Sequence, residues 1–276
     1  MPKTYNVFIS FDLEGVSIVT SWREMNKDSP SFQAVRECAT EEVSAAIKGV
    51  RKTRKLIGEV CVCDSHAQGE NLIVQKLPRG ITVVKGSPRR YYMVEGLDDH
   101  FDILFCIGYH AMVGTSYAGM DHTYSSSLLY GVKINGKLVG ETEINAAVAG
   151  YYGVPLGLVS GDDLLAKEVE RFFGHTVEAV VTKYGISRFA ARCRHPLDVQ
   201  KEIEQKAQKA VLKISKLKPF TFKTPIRAEF EVMNSLVADE VGAIPGLKRK
   251  SARSLTYKAQ DILEFYRILR LICSCA

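Results

Sequence analysis

With 276 residues, 46% of them hydrophobic and 25% charged, the chain can bury a sizeable core, as one large domain or as a domain with a smaller companion. Its net charge of +6 comes from scattered lysines and arginines, not from a basic stripe interleaved with aromatics, which argues against a nucleic-acid partner. No apolar run approaches a bilayer span, and MPKTYNVF enters a strand without the pattern of a signal peptide, so no membrane association and a cytoplasmic location are expected.

VFISF, residues 7–11, reads as a first β-strand that runs straight into two carboxylates, Asp12 and Glu14, within FDLEG. Ser29-Pro30 reads as an N-cap followed by a first-turn proline. It predicts a helix from Ser31 to about Leu56, with Val35, Cys38, Ala39, Val43, Ala46, Ile47 and Val50 at helical spacing. The cations of RKTRK, residues 51–55, suit the end of that helix. Beyond Gly58, EVCVCDS is a second strand, ENLIVQKL a short helical stretch and ITVVKG a third strand. MVEGLDDH is a turn or short helix before a fourth strand, DILFCIG. This alternation, with near-continuous apolar strands, predicts an α/β fold: a mostly parallel sheet flanked by helices.

After residue 120 the pattern changes. YSSSLLYGVKINGKLVG predicts a β-hairpin insertion turning at Asn135-Gly136. A helix, ETEINAAVAGYY, a strand, PLGLVSGD, and a helix from Asp162 to Phe173 follow. Then come a long amphipathic helix, DVQKEIEQKAQKAVLKI, a strand, IRAEFEV, and a last helix, AQDILEFYRILRLI. The stretch from Lys216 to Pro225 divides a catalytic core, residues 1–215, from a smaller α+β C-terminal part, residues 216–276. The seven cysteines are odd in number, and three sit in apolar strand patterns, so free thiols in a reducing compartment are expected. CVC and CSC have the wrong spacing for a C-x-x-C zinc half-site.

Three strands end in residues able to bind a metal: Asp12 and Glu14 after the first, Asp64 and His66 after the second, and His110 after the fourth. Ligands of open parallel sheets gather at such ends. One reading follows from FDLEG itself, which resembles the first motif of the haloacid-dehalogenase-like phosphatases. Asp12 is then the nucleophile, and VSGDD, residues 159–163, the magnesium-binding motif. Against it, Glu14 stands where a second Asp belongs, Val16 stands where a hydroxyl is usual, and His66 and His110 have no role.

The other reading is a metallohydrolase. Imidazoles with carboxylates suit zinc and similar divalent ions. A carboxylate-rich site can hold two ions about 3.5–4 Å apart, which needs a short bridging ligand such as Asp12. Glu14, His66 and His110 qualify as further ligands, and Glu141 opens the helix after the hairpin. Taken singly, each has a plainer explanation: Asp12 and Glu14 as turn acids, Glu141 as a helix-start acid, the histidines as loop residues. The convergence of Asp12, Glu14, His66 and His110 at strand ends favours the metal site, whereas Glu141 keeps its plainer explanation on these grounds.

SFDLEG, CDSHAQG, MVEGLDD, GYHA, GMDH, VGETEINA, AGYY and SGDD follow the order and approximate spacing of the D-aminopeptidases of the M55 metallopeptidase family. The resemblance runs from about residue 5 to residue 190 and continues weakly to the end. It implies a Rossmann-like core and a metallo-aminopeptidase that takes the N-terminal residue, of D-Ala type, from short peptides. It also implies two Zn2+ per subunit, with Mn or Co as alternatives: Asp12 as the bridge, Glu14 and His66 on one metal, His110 and Glu141 on the other, and His122 of GMDH as the catalytic histidine. The assembly implied is a ring-shaped homo-oligomer, a decamer of stacked pentamers, with active sites facing an inner cavity. A third reading keeps that ring as a non-catalytic binding protein. Glu143 is a second acid near Glu141, open to a role as ligand or as partner of the substrate amine. His100, His175 and His195 match no motif and are expected at the surface or in loops.

Overall fold

The structure is a computed structural model that describes residues 3–275. The chain opens with β1 (Thr4–Phe11), α1 (Phe32–Arg51), β2 (Leu56–Asp64), β3 (Thr82–Val84) and β4 (Ile103–Ile107). The hairpin β5 (Leu129–Ile134) and β6 (Lys137–Leu138) leads into α2 (Glu141–Tyr151), β7 (Leu156–Asp162) and α3 (Asp163–Phe173). A second hairpin, β8 (Glu178–Ser187) and β9 (Ala190–Cys193), precedes α4 (Pro196–Leu212) and β10 (Ile226–Val232). The chain closes with α5 (Ser235–Val241), β11 (Lys248–Arg249), β12 (Ser254–Ala259) and α6 (Ile262–Cys273).

The main sheet has seven strands in the order β3-β2-β1-β4-β7-β8-β9, parallel except for the antiparallel β8–β9 pair. From β1 the chain winds outward through β2 to β3, then returns to the other side of β1 to lay down β4. That reversal opens a crevice at the carboxyl ends of β1 and β4, where ligands of such sheets bind. Alternation along the strands feeds two cores. Val7, Ile9, Val60, Val62, Ile103 and Phe105 face α1 and α4. Phe8, Cys61, Cys63, Leu104 and Cys106 face α2, α6 and a second sheet.

That second sheet is antiparallel, ordered β11-β12-β10-β5-β6, so the strands after Pro225 complete the sheet that the β5–β6 hairpin begins. The hairpin turns at Asn135 (φ +52°) and Gly136 (φ +83°), the left-handed pair that Asn-Gly supplies. Asn135 Oδ1 also accepts from Arg227 N at 2.9 Å, which ties the turn to β10.

Three local expectations are corrected. The first helix starts at Phe32 with Ser31 at its N-cap, not Ser29; Ser29 Oγ instead accepts from Ser31 N at 3.3 Å, in the turn before the helix. That helix ends at Arg51 because Leu56 already pairs with Thr4 in β2. The last helix begins at Ile262, since Ala259 still belongs to β12, and Asp261 Oδ1 caps it by accepting from Glu264 N at 2.8 Å. The β8–β9 hairpin, α5, β11 and β12 were not anticipated. All seven cysteines are free, with Cys38, Cys61, Cys63 and Cys106 buried. Among the described residues no helix is long and apolar enough to cross a membrane.

Candidate metal centre

The loops that leave β1 and β4 cross back to back. Asp12 N donates to Ile107 O at 2.8 Å and Gly15 N to Gly108 O at 2.7 Å. A Cβ on Gly15 would lie 1.9 Å from Tyr109 O, and one on Gly108, at φ +75°, would lie 2.1 Å from Asp12 O. Only glycines allow this approach, and it brings Asp12 and Glu14 to His110. The last residue of FDLEG is therefore there for contact with the neighbouring loop.

Asp64 does not face the crevice. Its carboxylate accepts from Asn71 N (2.6 Å), Leu72 N (2.8 Å) and Asn71 Nδ2 (2.8 Å), while that amide also donates to His66 O at 2.8 Å. Arg89 donates to Asp64 O (2.5 Å), Ser65 O (3.1 Å) and Ala67 O (3.3 Å). Together they fix the loop from which His66 reaches into the site. Glu141 comes from the first turn of α2. Glu143 caps the same helix: its Oε2 accepts from Gly140 N at 2.7 Å, and it is buried beside Glu168.

Asp12, Glu14, His66, His110, His122 and Glu141, the six residues that the family resemblance implies, come together at one cleft. His66 Nδ1 lies 3.0 Å from Glu14 Oε2 and 3.2 Å from Asp12 Oδ1. His110 Nε2 lies 3.3 Å from Glu141 Oε1 and 3.5 Å from Asp12 Oδ2. His122 Nε2 stands 3.8 Å from both Glu14 Oε1 and Glu141 Oε1, and its ring stacks on His110 with centroids 4.0 Å apart. Ligand atoms of Asp12, Glu14 and His110 lie within 4.8 Å of one another, as do those of His110, His122 and Glu141. Asp12 contacts both His66, through Oδ1, and His110, through Oδ2. The cleft has a volume of about 290 Å³, and Trp22, Tyr92 and Tyr124 are among its walls.

The charges fit a cation. Burial and the neighbouring Glu14 push the Asp12 carboxyl up to about 7. Burial opposes charge on Glu14 too, but His66 holds it well below the ordinary range. Burial likewise opposes charge on His110, yet Glu141 and Asp12 override it and push the ring up to about 10. Three buried carboxylates thus hold protons on adjacent imidazoles, and metal ligation releases such protons. His110 Nδ1 lies 3.0 Å from Ala111 O and must donate to it. Its buried Nε2 has no hydrogen-bond partner among the described residues and points at carboxylate oxygens, the orientation of a metal-ligating histidine braced through its other nitrogen.

His122 differs from the other two histidines. Its Nδ1 donates to Met120 O at 2.9 Å, leaving Nε2 toward the cleft. Burial and the adjacent His110 lower its pKa, so at neutral pH Nε2 is a free base. Its loop is tied to the β8–β9 hairpin by Met120 N to Arg188 O (2.7 Å) and by the Arg188–Asp121 ion pair (3.2 Å).

Sequence reasoning missed Lys183. This fully buried side chain of β8 donates to Glu14 O (2.5 Å), Val16 O (2.8 Å) and Val19 O (2.5 Å), fastening the loop that carries Glu14. The available signal was a lone lysine inside the apolar run EAVVTKYG. Lys183→Met is expected to cost about 2–4 kcal/mol, because the relief of desolvating a charge is outweighed by buried carbonyls left unpaired. Urea unfolding of the two proteins measures it, and unchanged stability would remove Lys183 from this role. The remaining polar candidates have structural positions. Asp162 caps α3 by accepting from Leu164 N (3.1 Å) and Leu165 N (2.8 Å) through Oδ1, and accepts from Gly119 N (2.8 Å) through Oδ2. His195 caps α4, and His175 lies at the surface. His100 lies against Asn6.

The chain is similar to known proteins over nearly its whole length. The model of the M55 peptidase family, described as D-aminopeptidase, matches residues 5–271. The D-aminopeptidase of Bacillus subtilis (strain 168) is 32% identical over 274 residues, 98% of this chain and 97% of its own length. A solved structure, described as the zinc-dependent D-aminopeptidase DppA from Bacillus subtilis, a self-compartmentalizing protease, superposes with a TM-score of 0.93 at 31% identity. That superposition covers 98% of this chain and 97% of the other.

Proposed function

Because the chain belongs to the M55 family of D-aminopeptidases, we propose that it is a dinuclear zinc aminopeptidase that removes an N-terminal D-residue, of D-Ala type, from short peptides. The observation that carries the proposal is the meeting of Asp12, Glu14, His66, His110, His122 and Glu141 in one cleft. Asp12 would be shared between two ions, Glu14 and His66 would help hold one, and His110 and Glu141 would help hold the other. Zinc held there would supply polarisation of the peptide carbonyl and a lowered pKa for a water.

The chain's own residues supply orientation and proton movement. His122 takes a proton at Nε2 from the attacking water and passes it to the leaving amine. Glu14 and Glu141, each 3.8 Å from that nitrogen, stabilise the imidazolium between the two events. Hydrogen bonding to Met120 O keeps the ring in the required tautomer. Trp22, edge-on to His122 with centroids 6.0 Å apart, shields one side of the ring from water.

The phosphatase reading is not favoured, because Asp162 of its magnesium motif is spent on capping α3 and the partners of Asp12 are imidazoles. A non-catalytic scaffold has no use for a buried cluster of three acids in which burial and Glu14 oppose the ionisation of Asp12. The Bacillus relative is described as self-compartmentalizing. For this chain we read a ring-shaped homo-oligomer, a decamer, in the cytoplasm, where free thiols persist. Residues 216–276 act there as a smaller part joined to the core through β5.

The test is metal analysis of the purified protein beside release of D-Ala and L-Ala from matched dipeptides, with an aryl phosphate as control and sedimentation for the assembly. About two zinc ions per chain with preferential D-Ala release is the expected result. Magnesium-dependent phosphate release without peptidase activity would overturn the reading.

A further inference from the structure

A second cavity adjoins the metal cleft. Its volume is about 260 Å³, and Ala67, Tyr92, Tyr124 and Ser125 line both spaces. The tilted Tyr92 and Tyr124 rings, with centroids 6.2 Å apart, stand between the two. This shared wall is fastened to the metal site itself, since Tyr124 N donates to Glu141 Oε1 at 2.6 Å. On the far side the cavity is closed by α6, through Tyr266, Leu269, Arg270 and Cys273. Tyr266 is locked in place: its hydroxyl accepts from Tyr124 Oη (3.1 Å) and from Met93 N (3.3 Å).

The walls carry one formal charge. Arg270 is the sole Asp, Glu, Lys or Arg among the lining residues. The tyrosine hydroxyls and the Cys273 thiol are neutral, with burial pushing that thiol up to about 12. Arg270 spends only Nε, which donates to Arg89 O at 2.6 Å. Among the described residues its two terminal nitrogens have no hydrogen-bond or ion-pair partner, and the anchored Nε holds the guanidinium at the cavity. The metal cleft is the electrostatic opposite, with three buried carboxylates.

A peptide has the same polarity: an ammonium at one end and a carboxylate at the other. We propose that the cavity under α6 is the subsite for the portion of the substrate beyond the scissile bond, with Arg270 binding its C-terminal carboxylate. The assignment rests on the aminopeptidase reading above and adds to it a preference for very short peptides with a free carboxyl end. Size supports this, because the cavity falls just below the roughly 300–1,000 Å³ of pockets that take drug-sized ligands, leaving room for one or two small residues. Planar guanidinium recognition of carboxylate supplies the selectivity.

The experiment compares D-Ala-D-Ala with its C-terminal amide on the zinc-loaded wild type, on Arg270→Gln and on Arg270→Lys. In kcat/KM the wild type is expected to favour the free acid about tenfold to hundredfold. Arg270→Gln should lose that preference by slowing the acid alone, and Arg270→Lys should recover part of it. The amide acts as internal control: similar amide turnover in all three proteins shows that α6 and the metal site are intact. Equal cleavage of acid and amide by the wild type overturns the subsite while leaving the aminopeptidase reading in place, and needs no variant. Equal slowing of both substrates in Arg270→Gln, with zinc retained, also overturns it. Cleavage of neither substrate by the wild type sinks the aminopeptidase reading and the subsite with it.

Discussion

Asp12→Ala is expected to strip zinc from the chain and to lower turnover by more than about a thousandfold, while making the metal-free protein more stable. The first effect follows from position. Asp12 Oδ1 faces His66 and Asp12 Oδ2 faces His110, so its loss weakens both halves of the site, beyond the roughly 10–100-fold that an outer-shell partner costs. The second effect follows from charge. Burial, with Glu14 beside it, raises the Asp12 pKa from 3.8 to about 7, so the ionised form is disfavoured by folding. A raised carboxyl contributes stability below its unfolded pKa and loses it as pH rises through the folded value. Metal-free wild type should therefore weaken between about pH 4 and pH 7, in the sense set by Asp12. His110, raised from 6.5 to about 10, continues the decline above neutrality. Glu14 and Glu141, held low by the histidines, act oppositely and only at more acid pH. Zinc replaces the missing protons and removes the decline. Thermal unfolding of both proteins against pH, with chelator and with zinc, measures all of this. Equal metal content in Asp12→Ala would sink the bridging role.

The opposition between a stable apo-protein and a working site explains why so much of the centre could be read from sequence. Residues that stability alone does not call for stand out: acids after an apolar strand in FDLEG, a histidine in IGYHA, another in DSHAQ. Strand ends are also the one place where a parallel sheet converts linear order into proximity. The sheet order that makes β1 and β4 neighbours is set by long-range packing and left no local mark, nor did the close approach of Gly15 and Gly108. The β8–β9 hairpin was hidden for a physical reason: Lys183 breaks the apolar pattern because it satisfies carbonyls of another loop. In β12, SLTYKA is half-buried and carries a lysine, so its end merged with the apolar start of α6. Asp64 and Glu143 resemble ligands by type and place, and only coordinates show them turned to backbone amides.

His122→Ala is the expected separation of metal binding from catalysis. The residue is held from outside the cluster, by Met120 O on its Nδ1 and by the Arg188–Asp121 pair on its loop, while Asp12, Glu14, His66, His110 and Glu141 keep one another's contacts without it. Zinc content should stay near the wild-type value and kcat should fall by about 10²–10⁴, the usual share of a general acid–base. The variant is not expected to unfold, since truncation removes a ring stacked on His110 that burial and that same neighbour already keep from ionising. The pH profile carries the decisive information. With its pKa lowered below 6.5, His122 is a competent base at neutrality and loses activity as it protonates on the acid side, so the wild type should show an acid limb below about pH 6.5. Because the same nitrogen must afterwards give its proton to the leaving amine, the low pKa keeps it free to act as base at neutrality and favours release once the proton has been taken up. In His122→Ala the residual rate should lack that limb. A variant that keeps the limb, or keeps most of its turnover, would assign proton transfer to another group and leave His122 as a wall of the cleft.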